Sequence, residues 1–135
     1  MLQKFNIVFE KEFEKIIMKK YDNNLMYYQL KPHTFIEMKD VKEVLEEVEK
    51  LGSEIKYLNL FEFGENCDTD SETRMWASDS KGNKQTIADA FVIRSLAQKI
   101  VINFYLKFHK PHKPTRVFNK TNEAIKWLLS IEKSE

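Results

Sequence analysis

One cysteine, three glycines and three prolines are all that this 135-residue chain has of the residues that most often staple or break a fold. A lone Cys67 cannot close a disulfide within the chain, and a reducing compartment is its simplest setting, so a cytoplasmic location is expected. So little glycine and proline, with no repeat or low-complexity block, leaves no obvious linker, and the length corresponds to one domain over residues 1–135. Residues 1–11 are either an N-terminal arm or an extra strand. No stretch approaches the roughly 20 apolar residues that a membrane-spanning helix needs, and the first residues do not resemble a signal peptide. Charge of one sign is missing as well. Lys and Arg total 22 against 21 Asp and Glu, a net charge of +1 that gives no general attraction to nucleic acid. No nucleophile elbow, phosphate-binding loop, glycine-rich dinucleotide turn or metalloprotease helix occurs, so neither an enzyme nor a cofactor is expected.

What is present is a core. Hydrophobic residues make up 42% of the chain and aromatics 13%, enough for a filled interior. Ile87 to Ile93 is a short, nearly continuous apolar run, the pattern of a strand covered on both faces. Ser95 with Gln98 three residues on forms a capping box. Ala97, Ile100, Val101, Phe104 and Phe108 then recur at helical spacing, and Leu96, Ile102, Tyr105 and Leu106 widen that stripe, which predicts a largely buried helix. Pro111 and Pro114 end the helix, Thr115 to Phe118 reads as the next strand, and Asn119 or Thr121 can cap a last helix with Ala124, Ile125, Leu128 and Ile131 on one face.

Upstream, Lys4 to Phe9 alternates weakly. Phe13 to Tyr21 and Leu25 to Leu30 flank Asp22, Asn23 and Asn24, which tolerate turn conformations, so they are expected to pair as an antiparallel hairpin. After Pro32, Thr34 with Glu37 has the capping-box pattern, and Glu37 to Asp40 is an alternative start, for a helix with Met38, Val41, Val44, Leu45, Val48 and Leu51 on one face. The charges on its other face read as a solvated surface, and Gly52 supplies the stop. Ile55 to Phe63 is apolar on both sides, as a central strand requires. Gly64 to Asp70 is a polar loop, and Thr69 with Glu72 is a further capping box for a short helix through Trp76. The expected order is β, β, α, β, α, β, α, β, α.

The runs A-D-A-F-V-I-R-S-L-A-Q-K-I, N-F-Y-L-K-F-H-K-P, P-T-R-V-F-N and E-A-I-K-W-L resemble the C-terminal half of SpoIIAA-like (STAS-like) domains, in an uncharacterised bacterial branch. The resemblance implies an α/β fold: a mixed sheet of about five strands with an N-terminal antiparallel hairpin and helices packed against it. It also implies a non-enzymatic interaction or regulatory module that acts on a partner protein of unknown identity. The alternative is a carrier or sensor of a small apolar ligand, since related folds include lipid carriers. Anti-sigma antagonists of that family carry a phosphorylatable serine in a D-S-[ST]-G motif, and Asp70-Ser71 stands in the corresponding place, with Glu72 and Thr73 where the motif has its hydroxyl and glycine. Ser71, Asp70 and Arg74 are therefore the regulatory candidates, against the plain reading that Ser71 sits in the first turn of a capped helix.

Lys110, Lys113 and Arg116, near two prolines, are candidates for binding an anion, against a hydrated Lys-Pro loop. His109 and His112 have no cysteine or carboxylate to complete a zinc shell, so no metal is expected. Arg74 and Arg94 can each clamp an anion or pair with Asp70, Asp79 or Asp89. Cys67 has no cationic neighbour in sequence that would activate it. A helix greasier than one sheet face needs also allows a symmetric dimer.

Overall fold

A strand, helix and parallel strand make a crossover of one preferred hand, so crossovers repeated in one direction along a sheet leave their helices on the same face. The computed structural model describes residues 2–52, 54–78, 85–108 and 113–134, and follows that rule. A 3-10 turn at Leu2–Lys4 leads into β1 (Ile7–Glu12), β2 (Ile16–Tyr21), β3 (Leu25–Leu30), β4 (Phe35–Ile36) and α1 (Met38–Lys50). There follow β5 (Tyr57–Phe63), β6 (Asp68–Thr69), α2 (Ser71–Ser78), β7 (Thr86–Val92), α3 (Leu96–Phe108), β8 (Thr115–Phe118) and α4 (Thr121–Ser134). Six strands form one mixed sheet in the order β1-β2-β3-β5-β7-β8. The first three are antiparallel neighbours, and β3, β5, β7 and β8 run parallel. The short strands β4 and β6 pair separately.

The expected fold class is present, with one strand more than the expected five. Ile7–Glu12 adds an exposed edge strand whose Glu10, Lys11 and Glu12 discourage pairing with another sheet. Phe13 to Lys15 turn the chain between β1 and β2, with the Phe13 N–H donating to the Ile16 carbonyl, so the second strand begins at Ile16 and not at Phe13. The β2–β3 hairpin closes as expected, and Asn23 Oδ1 accepts the Leu25 N–H across its turn.

Strand alternation sorts the core into two layers. Tyr21, Leu25, Tyr27, Leu58, Leu60, Ala88, Ala90 and Val92 face α4, which buries Ala124, Ile125 and Leu128 completely against them. Met18, Met26, Tyr28, Leu30, Tyr57 and Phe63 face the other way, toward α1 and α3. α1 buries Val44 and Val48 there, and Lys42, Glu43, Glu46, Glu49 and Lys50 stay in water.

At α1 and α2 the start differs from the first option read in the sequence, and at α4 one of the two options, Thr121, is not the cap. Thr34 donates its hydroxyl to the Lys31 carbonyl while Phe35–Ile36 extend to pair with β6, so α1 starts at the alternative site, where the Asp40 carboxylate accepts the Glu37 N–H at 2.8 Å. α2 is capped by Asp70, not Thr69, through the Thr73 N–H at 2.9 Å. Thr121 gives its hydroxyl to Glu62 instead of capping α4. Gly52, at φ +117°, ends α1 in a conformation that side chains resist. Gly64 is required for another reason: a Cβ there would lie 2.6 Å from Pro32 N and 2.7 Å from the Leu30 carbonyl oxygen.

The largest correction concerns α3, which is not largely buried. Leu96, Ile100 and Phe104, at i, i+4 and i+8, are 72%, 59% and 66% exposed, and Ala97 is exposed too. The buried face carries Gln98 and Ile102. Gln98 explains the rotation. Its Nε2 donates to the carbonyls of Gly64 and Cys67, both at 3.0 Å, and its Oε1 accepts the Arg94 N–H at 2.7 Å. Ser95 Oγ caps the helix through the Gln98 N–H, as expected. A helix apolar all round can present only one face to the sheet, and three hydrogen bonds to backbone groups select the face that holds Gln98.

Candidate functional site

Turning Leu96, Ile100 and Phe104 outward leaves the space between sheet and helices incompletely filled. A cavity of about 150 Å³ lies there, roofed by residues such as Val44 of α1, Trp76 of α2 and Ile102 of α3. Its floor follows from strand register. Tyr28, Phe61 and Phe91 are direct neighbours on β3, β5 and β7 and point to the same face. Their rings stack at 5.0 Å and 11°, then 5.2 Å and 17°. Two residues earlier on β5 and β7 the floor turns polar, where Asn59, Asp89 and Thr115 are neighbours on β5, β7 and β8.

Asp89 is 3% exposed, and such a carboxylate is tolerable only with partners. Its Oδ1 accepts a hydrogen bond from Asn59 Nδ2 at 3.1 Å, and its Oδ2 lies 3.3 Å from Lys113 Nζ. Burial raises its pKa above the ordinary carboxylate value, opposed by Lys113 and Asn59. Tyr28, beside it, is raised above the ordinary phenol value by burial and then by the negative charge of Asp89. The Tyr57 hydroxyl is buried with no hydrogen-bond partner among the described residues, and burial raises its pKa too.

Ser71, Asp70 and Arg74 come together on the first turn of α2. Ser71 is exposed there, and the Thr73 hydroxyl and N–H hold the Asp70 carboxyl below its ordinary range, with Arg74 adding to them. The Thr73 hydroxyl is buried beside Asp70 and has no partner in hydrogen-bond geometry among the described residues. Arg74 Nη1 donates to the Thr69 carbonyl and to Thr69 Oγ1, and lies 3.6 Å from Asp68, so that end of the guanidinium ties α2 to β6.

The basic candidates separate. Lys113 is directed at Asp89 on the cavity side, with 9% of its side chain exposed, whereas Arg116 lies over the Phe118 ring at 5.1 Å, on the α4 side of the sheet. Lys110, His109 and His112 lie outside the described residues. Arg94 lies 3.9 Å from Glu62, which also accepts hydrogen bonds from Tyr27 and Thr121. Cys67 is 1% exposed, and burial raises its thiol pKa, the opposite of an activated nucleophile. Among the described residues no three His, Cys, Asp or Glu side chains are grouped to hold a metal ion, and no helix is long and apolar enough to cross a membrane.

A family model described as a domain of unknown function, DUF7793, matches residues 18–132. The chain belongs to that family. The matched DUF7793 span takes in α1, α2 and α3 and strands β3, β5, β7 and β8, the elements that enclose the cavity. No curated protein and no solved structure matches the chain.

The cavity's polar floor was not singled out by sequence reasoning. Its signal was available: Asn59 interrupts an apolar run in Y-L-N-L-F, and Asp89 does the same in I-A-D-A-F. A buried polar residue in each of two adjacent central strands is the pattern that points to an internal site.

Proposed function

We propose that this domain is a non-enzymatic binding module that carries or senses a small apolar ligand held between the sheet and helices α1, α2 and α3. The cavity above the stacked Tyr28, Phe61 and Phe91 rings carries this reading. The space of about 150 Å³ is lined mostly by apolar side chains, so an apolar ligand that enters it displaces water from apolar surface. The resemblance to SpoIIAA-like domains supports the reading, because related folds include lipid carriers, and the mixed sheet with its N-terminal hairpin accords with the element order that the resemblance implies. A single buried cysteine accords with work in the cytoplasm.

The test is native mass spectrometry of the protein purified from its own host. The expected result is a protomer with a noncovalent small-molecule mass, absent from an Ile102→Trp variant whose indole occupies the cavity. A wild-type protein that is always bare, and whose stability no small apolar compound changes, refutes the proposal.

A second reading, a regulatory module that works through protein contacts, is favoured by the exposed stripe Leu96, Ile100 and Phe104 on α3. Such a stripe suits a second copy of the chain, with Ser71 and Arg74 modulating contacts at the start of α2. Light scattering at micromolar concentration decides the homodimer: a monomeric mass removes it, and a dimer that Ile100→Glu dissociates supports it.

A further inference from the structure

Resting on the ligand-binding reading, we propose that the cavity selects small neutral molecules, about one ring in size, that donate a hydrogen bond: the chemical class of phenols and anilines. The size follows from the volume, since a buried apolar cavity of about 150 Å³ accommodates benzene. The apolar body would rest on the row of Tyr28, Phe61 and Phe91 under Ile102.

The donor requirement follows from the neighbouring row. Asn59 is 7% exposed and lines the cavity. Its Nδ2 donates one hydrogen to Thr86 Oγ1 at 2.9 Å and the other to Asp89 Oδ1 at 3.1 Å, which fixes the amide's orientation because the carboxylate needs a donor. Both amide hydrogens are spent. Asn59 Oδ1 accepts no hydrogen bond among the described residues, so it remains an acceptor in the lining. Thr115, the next cavity-lining residue along the row, directs its hydroxyl hydrogen to the Lys113 carbonyl at 3.1 Å and keeps only lone pairs. Gln98, also in the lining, has its amide engaged by Gly64, Cys67 and Arg94. The row of Asn59, Asp89 and Thr115 therefore offers acceptors and no free donor, while the Thr73 hydroxyl elsewhere in the lining can donate to the oxygen of a group that is both donor and acceptor, such as a phenol.

Neutrality follows from the Asp89–Lys113 pair. Lys113 sits 3.3 Å from Asp89, so a cationic ligand would compete with a built-in cation, and an anion would meet a carboxylate. A neutral O–H or N–H group satisfies Asn59 Oδ1 with neither conflict.

Calorimetric titration of the full chain with phenol, toluene and benzoate tests this, because phenol and toluene share a shape and differ in the donor. Phenol is expected to bind about tenfold tighter than toluene, the worth of one buried hydrogen bond. Its addition should also shift the Asn59 side-chain amide resonances in a nitrogen-correlated NMR spectrum. Asn59→Leu should erase the preference, and where that variant fails to fold the wild-type ratio and the amide shift still decide. Toluene binding as tightly as phenol, or benzoate binding more tightly, overturns the donor inference and leaves the cavity reading standing. If none of the three binds at millimolar concentration, both fall.

Discussion

Replacing Gln98 with leucine tests why a cavity exists. The glutamine is 8% exposed and makes three hydrogen bonds, to the Gly64 and Cys67 carbonyls and from the Arg94 N–H. Leucine has nearly the same length and a better helix propensity, so neither cavity formation nor backbone strain complicates the comparison. Each abandoned backbone group costs at least about 1 kcal/mol, which sums to about 3 kcal/mol. The added apolar contact returns about 1 kcal/mol, leaving a net loss of about 2 kcal/mol. For a domain of this size the melting temperature should fall by about 6 °C. Urea denaturation followed by circular dichroism supplies the free energy. With the anchor gone, α3 is also free to roll its outer stripe toward the sheet, so Gln98→Leu should lose affinity for small aromatic ligands beyond what its stability loss explains. A variant as stable as wild type, with ligand binding unchanged, would refute the idea that Gln98 sets the helix rotation.

Three further outcomes are expected. Leu128→Ala, at a fully buried position between α4 and the sheet, should cost 2–5 kcal/mol, read from the urea midpoint. Lys113→Met leaves Asp89 as an unpaired buried carboxylate and should cost roughly 3–5 kcal/mol at neutral pH. Because burial already raises the folded-state pKa of Asp89, and losing Lys113 raises it further, the charged form carries the penalty; the deficit should shrink as pH falls through that pKa and protonates the carboxyl, which denaturation across a pH series checks. Ile100→Glu should change the stability of the protomer by no more than about 0.5 kcal/mol, since the residue is 59% exposed; a loss of several kcal/mol would show that α3 buries the stripe its apolar pattern suggests.

The architecture was legible where local pattern and tertiary demand agree. Continuous apolar runs marked β3, β5 and β7, the Met38 to Leu51 stripe marked α1, and Ala124, Ile125 and Leu128 marked the face of α4 that the structure buries. The start of α1 stayed open between Thr34 and Glu37, and that of α2 was placed at Thr69, because candidate caps occur in overlapping frames and the choice depended on β4 pairing with β6 across 33 residues. The edge strand β1 was faint because a strand paired on one side and solvated on both faces needs no apolar alternation.

The candidate site was harder to read for a physical reason. Periodicity gives a helix's apolar positions but not the rotation of a helix that is apolar all round, and in α3 that rotation is held by a glutamine bonded to carbonyls more than 30 residues away. The face of α3 that lines the cavity, with Gln98, Val101, Ile102 and Tyr105, follows from that rotation. Asp89 entered the sequence reading only as a possible partner of an arginine; its actual partners, Asn59 and Lys113, required the parallel register of β5, β7 and β8. Ser71, Asp70 and Arg74 were legible as a group because they occupy one helical turn, where sequence proximity is spatial proximity.

The central claim is that the space under α3 is a binding site, and the most direct measurement is the melting temperature of wild type and Ile102→Trp across a titration with toluene. A ligand at a hundred times its dissociation constant stabilises the state it binds by about 2.7 kcal/mol. Wild type should therefore melt several degrees higher as toluene is added, while Ile102→Trp, with its cavity occupied, should not move. No shift in wild type, or equal shifts in both proteins, would contradict the account.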